Sequence, residues 1–195
     1  PGGVDATTGC DMTTSGATSL WDYVNGVWSS GVTNTKTTKP NVYKGYRITV
    51  RGDRTFNLYA TPPVGMNAAT TLRANGQLVT GTVTYTTSGI SNTGLSSSYS
   101  LNTNNTNGDY SFLGNPYVAA INWSTIGKTN LSNTYTVYDP TLGTSGAYVT
   151  WDGDILSNSN PSSFVNQYIQ PYQGFFVQTT AASPQLVIAE SDKAT

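Results

Sequence analysis

From about residue 20 onward, apolar and polar residues alternate with the period of two that a half-buried strand requires. Leu20-Trp21-Asp22-Tyr23-Val24 and Val27-Trp28-Ser29-Ser30 flank Asn25-Gly26. Both central positions of a tight hairpin turn need positive φ, so this stretch predicts a β-hairpin. In "YRITVR", Tyr46, Ile48 and Val50 fall on one face, and Arg47, Thr49 and Arg51 on the other. Gly52-Asp53 then supplies turn chemistry. Arg51-Gly52-Asp53 therefore reads as a strand end and its corner, not as a cell-attachment signal. A second Asn-Gly, at 75–76, precedes a long strand with Val79, Gly81, Val83 and Tyr85 on one face and Thr80, Thr82 and Thr84 on the other. Residues 86–108 are the most polar stretch and predict a long surface loop or a ragged hairpin. Any domain boundary is placed there.

Further on, "DYSFLGNPY" predicts a strand that ends in a tight turn at Gly114-Asn115-Pro116. "VAAINWSTIGK" is the one segment suited to a short helix. "NTYTVYDPT", "GAYVTWDGD", "QGFFVQTT" and "PQLVIAES" are strands. Leu186-Val187-Ile188-Ala189 is apolar on both faces, which predicts a sheet covered on both sides. Short strands at close spacing, about eight to ten of them, predict an all-β chain: an antiparallel β-sandwich or jelly-roll-like fold with at most one short helix. Residues 1–19 lack periodicity and read as an irregular N-terminal arm, available to a neighbouring subunit. The sandwich domain is expected over 20–195.

Composition sharpens this picture. Charged residues make up 10% of the 195, well below the usual quarter or so. The net charge is −1, without a cluster of Lys or Arg, so the electrostatic footprint of a nucleic-acid binder is missing. No apolar run is long enough to span a membrane as a helix. Thirteen tyrosines stand against five phenylalanines. The surface is therefore made soluble by hydroxyls and amides more than by charge, as in many extracellular β-proteins. Cys10 is the single cysteine, which rules out an intrachain disulfide. It reads as an inert residue, with pairing to another chain or reactivity as the alternatives. Starting at Pro1, the chain reads as a processed product or an excerpt.

Several phrases, taken in order, carry a resemblance: "GYRITVRGDRT", "TTLRANGQLVTGTVT", "FLGNPYVAAINWS", "YTVYDPTLG", "GAYVTWDG", "YIQPYQGFFVQTT" and "LVIAESDKAT". Together, over about residues 40–195, they resemble the β-rich region that precedes the C-terminal type IX secretion sorting domain in large secreted or cell-surface proteins of Bacteroidota. The resemblance implies export to the cell surface or beyond, and a sorting tail after Thr195. It supplies no catalytic residue.

Candidate chemistry is sparse. There is no histidine, which excludes Ser-His-Asp and Cys-His sites and histidine-ligated zinc. Glu190 is the only glutamate, and no aspartate pair sits in a setting that suggests glycoside hydrolysis. Asp152 and Asp154 in "WDGDIL" could share Ca²⁺, yet a calcium loop needs further oxygens, and a turn is the simpler reading. No cofactor or metal is expected. Trp21, Tyr23 and Trp28 lie on or near one hairpin, and are either sugar-stacking residues or core. Trp123 and Trp151 read as core. Asn104, Asn122 and Asn130 each begin an N-x-Ser/Thr sequon, so glycosylation is open. The first functional expectation is a non-enzymatic extracellular structural or adhesive module, self-assembling into a filament or surface layer by strand addition. Its partners are then copies of itself or other cell-surface components. The alternative is a carbohydrate-binding module of a secreted multidomain protein.

Overall fold

The structure, a computed structural model, describes residues 13, 18–30, 32, 34–50, 71, 75–103 and 110–194. In chain order the strands are β1 (Leu20–Val24), β2 (Val27–Ser29), β3 (Tyr46–Ile48), β4 (Val83–Thr86), β5 (Gly89–Asn92) and β6 (Leu95–Ser97). They continue as β7 (Tyr110–Gly114), β8 (Ile121–Asn122), β9 (Gly127–Thr129), β10 (Leu131–Asp139) and β11 (Ala147–Asp152). The last four are β12 (Ser157–Asn158), β13 (Tyr168–Ile169), β14 (Gly174–Thr179) and β15 (Gln185–Ile188). A 3₁₀ turn at Glu190–Asp192 follows. The chain is all-β, as its pattern predicts, and no helix among the described residues is long and apolar enough to cross a membrane.

Within the 20–195 span expected for the sandwich, the described residues form two compact units. The first takes in those within Pro1–Asp22, Trp28–Pro40 and Tyr46–Gln77. The second takes in Tyr23–Val27, Asn41–Gly45 and Leu78–Thr195. In the first, β3 lies antiparallel to β1 with Trp21 opposite Arg47, and Leu20, Val32 and Tyr46 make a small apolar cluster. In the second, two five-stranded sheets, β12-β11-β10-β14-β7 and β6-β5-β4-β15-β9, pair antiparallel. Their facing residues close a single core. Leu113, Val137 and Val177 come from one sheet, and Val83, Ile90 and Leu186 from the other. Fully buried Trp123 packs 5.4 Å from Tyr135 and 6.2 Å from Phe175, measured between ring centroids. Trp151 is buried as well. Both tryptophans are core, as expected.

The Asn25-Gly26 hairpin forms as its sequence predicts, with φ of 48° and 83° at the two turn residues, the type I′ conformation. The inward face over 79–85 is also as expected, with Val79, Val83 and Tyr85 buried and Thr80 and Thr82 exposed. Only Val83–Thr86 is paired as a strand, however. Three expectations are corrected. No helix forms in 118–128. Ile121, Trp123 and Ile126 are all buried, a spacing that suits β8 followed by a turn. The Asn122 side chain accepts from Ser124 N–H at 3.1 Å, and Thr125 donates to the Asn122 carbonyl, so local bonds replace a helical turn. Of the polar stretch at 86–108, Gly89–Asn92 and Leu95–Ser97 are β5 and β6, a ragged hairpin, while 98–103 form no strand. The described residues of the stretch all belong to the second unit, so no boundary falls among them. Finally, β15 has Leu186 and Ile188 buried, but Val187 is only half-buried, so one face is covered fully and the other partly.

"YRITVR" pairs only over Tyr46–Ile48, leaving Ile48 and Val50 exposed. Arg51-Gly52-Asp53, Cys10, Asn104 and the 1–19 arm, apart from Thr13, Thr18 and Ser19, lie outside the described residues.

Gln170-Pro171-Tyr172-Gln173 is a type II turn, closed by Gln173 N–H donating to the Gln170 carbonyl at 3.1 Å. Its third position calls for Gly or Asn, yet Tyr172 sits there at φ 60° with its side chain 75% exposed. A left-handed L-residue costs about 1–2 kcal/mol, partly offset because Gly gives the unfolded chain more freedom. Tyr172→Gly is therefore expected to raise stability by about 0.5–1 kcal/mol, read as a higher urea midpoint with an unchanged slope. A lower midpoint would show that the exposed ring contributes more than the strain it carries.

Candidate functional site

The second unit carries a half-open groove of about 340 Å³, at the small end of the ~300–1,000 Å³ typical of ligand clefts. Each wall is set by a local feature of the sequence. The type I′ turn brings Tyr23, Val24 and Asn25 to one side. Lys44 enters from a short segment that covers the outer edge of β7. There Gly45 N–H donates to the Phe112 carbonyl, Gly114 N–H donates to the Tyr43 carbonyl, each at 3.0 Å, and Lys44 bridges Leu113. The segment after β6 supplies Ser98 through Thr103, and β7 supplies Tyr110 and Ser111.

The segment after β6 has no strand of its own but is pinned at several points. Leu101 is buried, and its N–H donates to the Thr86 carbonyl at 2.8 Å. Asn102 N–H donates to Ser111 Oγ at 2.7 Å, and Thr179 Oγ1 donates to the Asn102 carbonyl at 2.7 Å. The Tyr99 hydroxyl donates to the Phe112 carbonyl at 3.0 Å, while Lys44 Nζ stands 5.0 Å from the centroid of the Tyr99 ring. These bonds hold the wall formed by 98–103 in place.

Tyr23 joins the groove to a strip of aromatic rings on the outer face of the β11-β10-β14-β7 sheet. Its ring meets Phe176 edge-on at 5.0 Å, and Phe176 stacks on Phe112 at 4.3 Å. Tyr148 follows at 5.9 Å from Phe176, and Tyr138 at 5.6 Å from Tyr148. Gly45 and Gly174 let backbone lie against Phe112, since a Cβ there would come within 2.5 and 2.6 Å of its ring. Burial, then the Tyr148 and Tyr110 hydroxyls, push the Tyr23 phenol above its ordinary pKa. Tyr110 at the rim and Tyr138 and Tyr148 on the strip remain exposed.

The hairpin aromatics do not act as one set. Trp21 and Trp28, both half-buried, carry the Arg47 guanidinium at 5.2 and 4.6 Å from their rings, and Trp21 Nε1–H donates to the Thr18 carbonyl. Their π faces are engaged within the first unit. Tyr23, of the three sugar-stacking candidates, lines the groove. Lys44, Tyr99 and Tyr110 escaped the sequence reading. The one available signal was "SSSYS", a lone ring in a run of hydroxyls.

The remaining candidates are occupied locally. Asp152 Oδ1 accepts from Asp154 N–H at 2.9 Å, and Asp154 accepts from the Asn133 side chain at 2.8 Å, which makes "WDGD" a turn. Among the described residues no cluster of three metal-ligating side chains occurs. Asn130 Nδ2, in the third sequon, donates to the Ala182 carbonyl at 2.6 Å. Glu190 pairs with Lys193 and accepts from Gly81 N–H at 2.7 Å, and these contacts hold its carboxyl below the usual range. No protein-family model, curated protein or solved structure matches the chain.

Proposed function

We propose that the chain is a non-enzymatic, extracellular adhesive module that holds carbohydrate in the groove beside the hairpin tip. The observation that carries this reading is the lining: Tyr23 and Tyr110 rings set among Ser, Thr and Asn side chains in a cleft of about 340 Å³. Sugars present both C–H faces and hydroxyls, and such a cleft offers stacking to the first and hydrogen bonds to the second. Exposed Tyr148 and Tyr138, on the outer face of the same sheet, give a longer glycan further rings to meet. The lack of histidine supports a binding role over catalysis, and the low charge and the resemblance to exported Bacteroidota proteins support the location.

Assembly by strand addition finds less support in this unit. A recruiting edge should be long and open. Among the described residues β12 has two residues, β6 and β9 three each, and the outer edge of β7 is covered by the segment carrying Lys44.

Affinity electrophoresis through gels containing neutral and acidic polysaccharides tests the proposal. At least one polysaccharide is expected to retard the chain, and Tyr23→Ala and Tyr110→Ala are each expected to weaken that retardation about tenfold, or about 1.4 kcal/mol. The variants must keep the parent's far-ultraviolet spectrum. Unretarded migration through every gel sinks the carbohydrate reading.

A further inference from the structure

We infer that Tyr138 and Tyr148 form an oxidative cross-linking site: given peroxide and a haem peroxidase, their rings couple into a dityrosine within one chain. The inference stands apart from the groove and from any sugar. The two residues lie directly opposite each other on β10 and β11. Their rings meet edge to face on the outer side of the sheet, with centroids 5.6 Å apart and planes at 67°. Each ring is held from its far side. The Tyr138 hydroxyl donates to the Ser145 carbonyl, and Gly146, at φ 70°, leaves room for the phenol where a Cβ would strike it. Tyr148 rests edge-on against Phe176 at 5.9 Å. Both tyrosines are nevertheless half exposed, at 50% and 52%, so an oxidant reaches either one and water takes the proton it loses.

The chemistry balances without further reactants. Each phenol gives up one electron and one proton and becomes a phenoxyl radical. The two radicals join through a ring carbon beside each oxygen, and the hydrogen on each coupling carbon moves to its own oxygen, which restores both aromatic phenols. The electrons and protons released reduce one peroxide to two waters. What the fold supplies is proximity. Pairing two reacting groups in advance turns a bimolecular step into a unimolecular one, so a radical on either ring meets its neighbour before it meets a second chain. The new bond would close the turn between β10 and β11 covalently, and would restrict the unfolded chain as a disulfide does.

In the test, the whole chain, folded and dilute, is treated with hydrogen peroxide and a haem peroxidase, then separated on a reducing gel. The monomer band is expected to gain the blue fluorescence of dityrosine and to lose the mass of two hydrogens, with the link mapped by peptide sequencing to Tyr138 and Tyr148. Tyr138→Phe and Tyr148→Phe, each keeping the parent's far-ultraviolet spectrum, are expected to abolish the monomer signal. Tyr172→Phe, at a ring that is 75% exposed, is expected to keep it. The wild-type chain treated in urea is expected to scatter its links among many tyrosines. A monomer that stays dark, or fluorescence confined to dimers, overturns the inference. So does a signal that survives either of the first two variants, a link mapped elsewhere, or an equal yield of the same link in the unfolded chain.

Discussion

Asn115→Ala is expected to lower the unfolding free energy by about 3 kcal/mol, among the largest single-residue effects in the sandwich. Asn115 is 2% exposed and lies at the turn that ends β7. Its Nδ2 group donates to the carbonyls of Ala119, Ile169 and Gln170 at 2.9, 3.1 and 3.0 Å, and its Oδ1 accepts from Tyr117 N–H at 3.0 Å. One amide therefore ties its own turn, 115–119, to the segment at 169–170 that lies far away in sequence. Alanine would remove all four bonds. The Gln170 carbonyl keeps Gln173 N–H, so the cost falls on the bonds to the Ile169 carbonyl and Tyr117 N–H, which are buried, at about 1–3 kcal/mol for each buried group left short of a partner. Asn115→Asp separates bonding from volume. The shape is kept, but an ionised carboxylate cannot donate, so at pH 7 this variant is expected to be at least as unstable as alanine. Acidification should partly restore it, since a protonated carboxyl regains one donor. Urea unfolding at pH 7 and pH 4.5 reads both effects. A fully stable Asn115→Asp at pH 7 would mean that the three carbonyls are satisfied in another way.

That amide shows where sequence reading succeeds and where it stops. "GNP" marks a turn, since Asn and Pro favour one, but nothing local reveals that the Asn side chain reaches across to residue 170. The hairpin at 25–26 and the inward face of 79–85 were legible because they depend on residues within a few positions of each other. The supposed helix was misread because Ile121, Trp123 and Ile126 are buried by the sheets around them, while the Asn122 and Thr125 bonds that set the turn are interchangeable on paper with any polar pair. Strands β5 and β6 were hard to see because "GISN" and "LSS" owe their place to backbone pairing, with Ile90 the one fully buried side chain between them.

The groove was less legible than the fold. Its lining comes from 23–25, 44, 87, 98–103 and 110–111, and in a chain so rich in Ser, Thr and Asn the hydroxyls of a binding surface look like those of any other surface. Tyr23 was singled out through its place on the hairpin, but sharing that hairpin with Trp21 and Trp28 says nothing of Arg47, which lies across from Trp21 and stacks on both tryptophans.

Above pH 10 the same tyrosine-rich core is expected to become the weakness of the fold. Tyr85, Tyr117 and Tyr135 are buried, and their hydroxyls donate to the carbonyls of Gly114, of Gly81 with Ile188 close by, and of Asn166. A phenolate cannot donate and would repel the carbonyl it faces. Burial raises all three pKa values: Tyr117 to about 12, with Glu190 and Asp192 adding to the effect, and Tyr85 well above the ordinary value. Since the folded values lie above the unfolded one near 10, the stability these groups contribute is whole below about pH 10 and is lost as pH rises through the folded values. Each phenol kept protonated only by folding removes about 1.4 kcal/mol per pH unit in that window, and three together about 4 kcal/mol per unit. Against a total stability of about 5–15 kcal/mol, cooperative unfolding is expected by about pH 12. Urea midpoints between pH 8 and 12 should fall steeply from pH 10, with a late step in tyrosinate absorbance at 295 nm coinciding with loss of the far-ultraviolet signal. Tyr85→Phe gives up one long hydrogen bond, at 3.3 Å, and should shallow the alkaline slope by about a third. Ionisation of all thirteen tyrosines near pH 10 with the strand signal intact would show that these hydroxyls are open to water, and the buried phenol–carbonyl bonds would have to be abandoned.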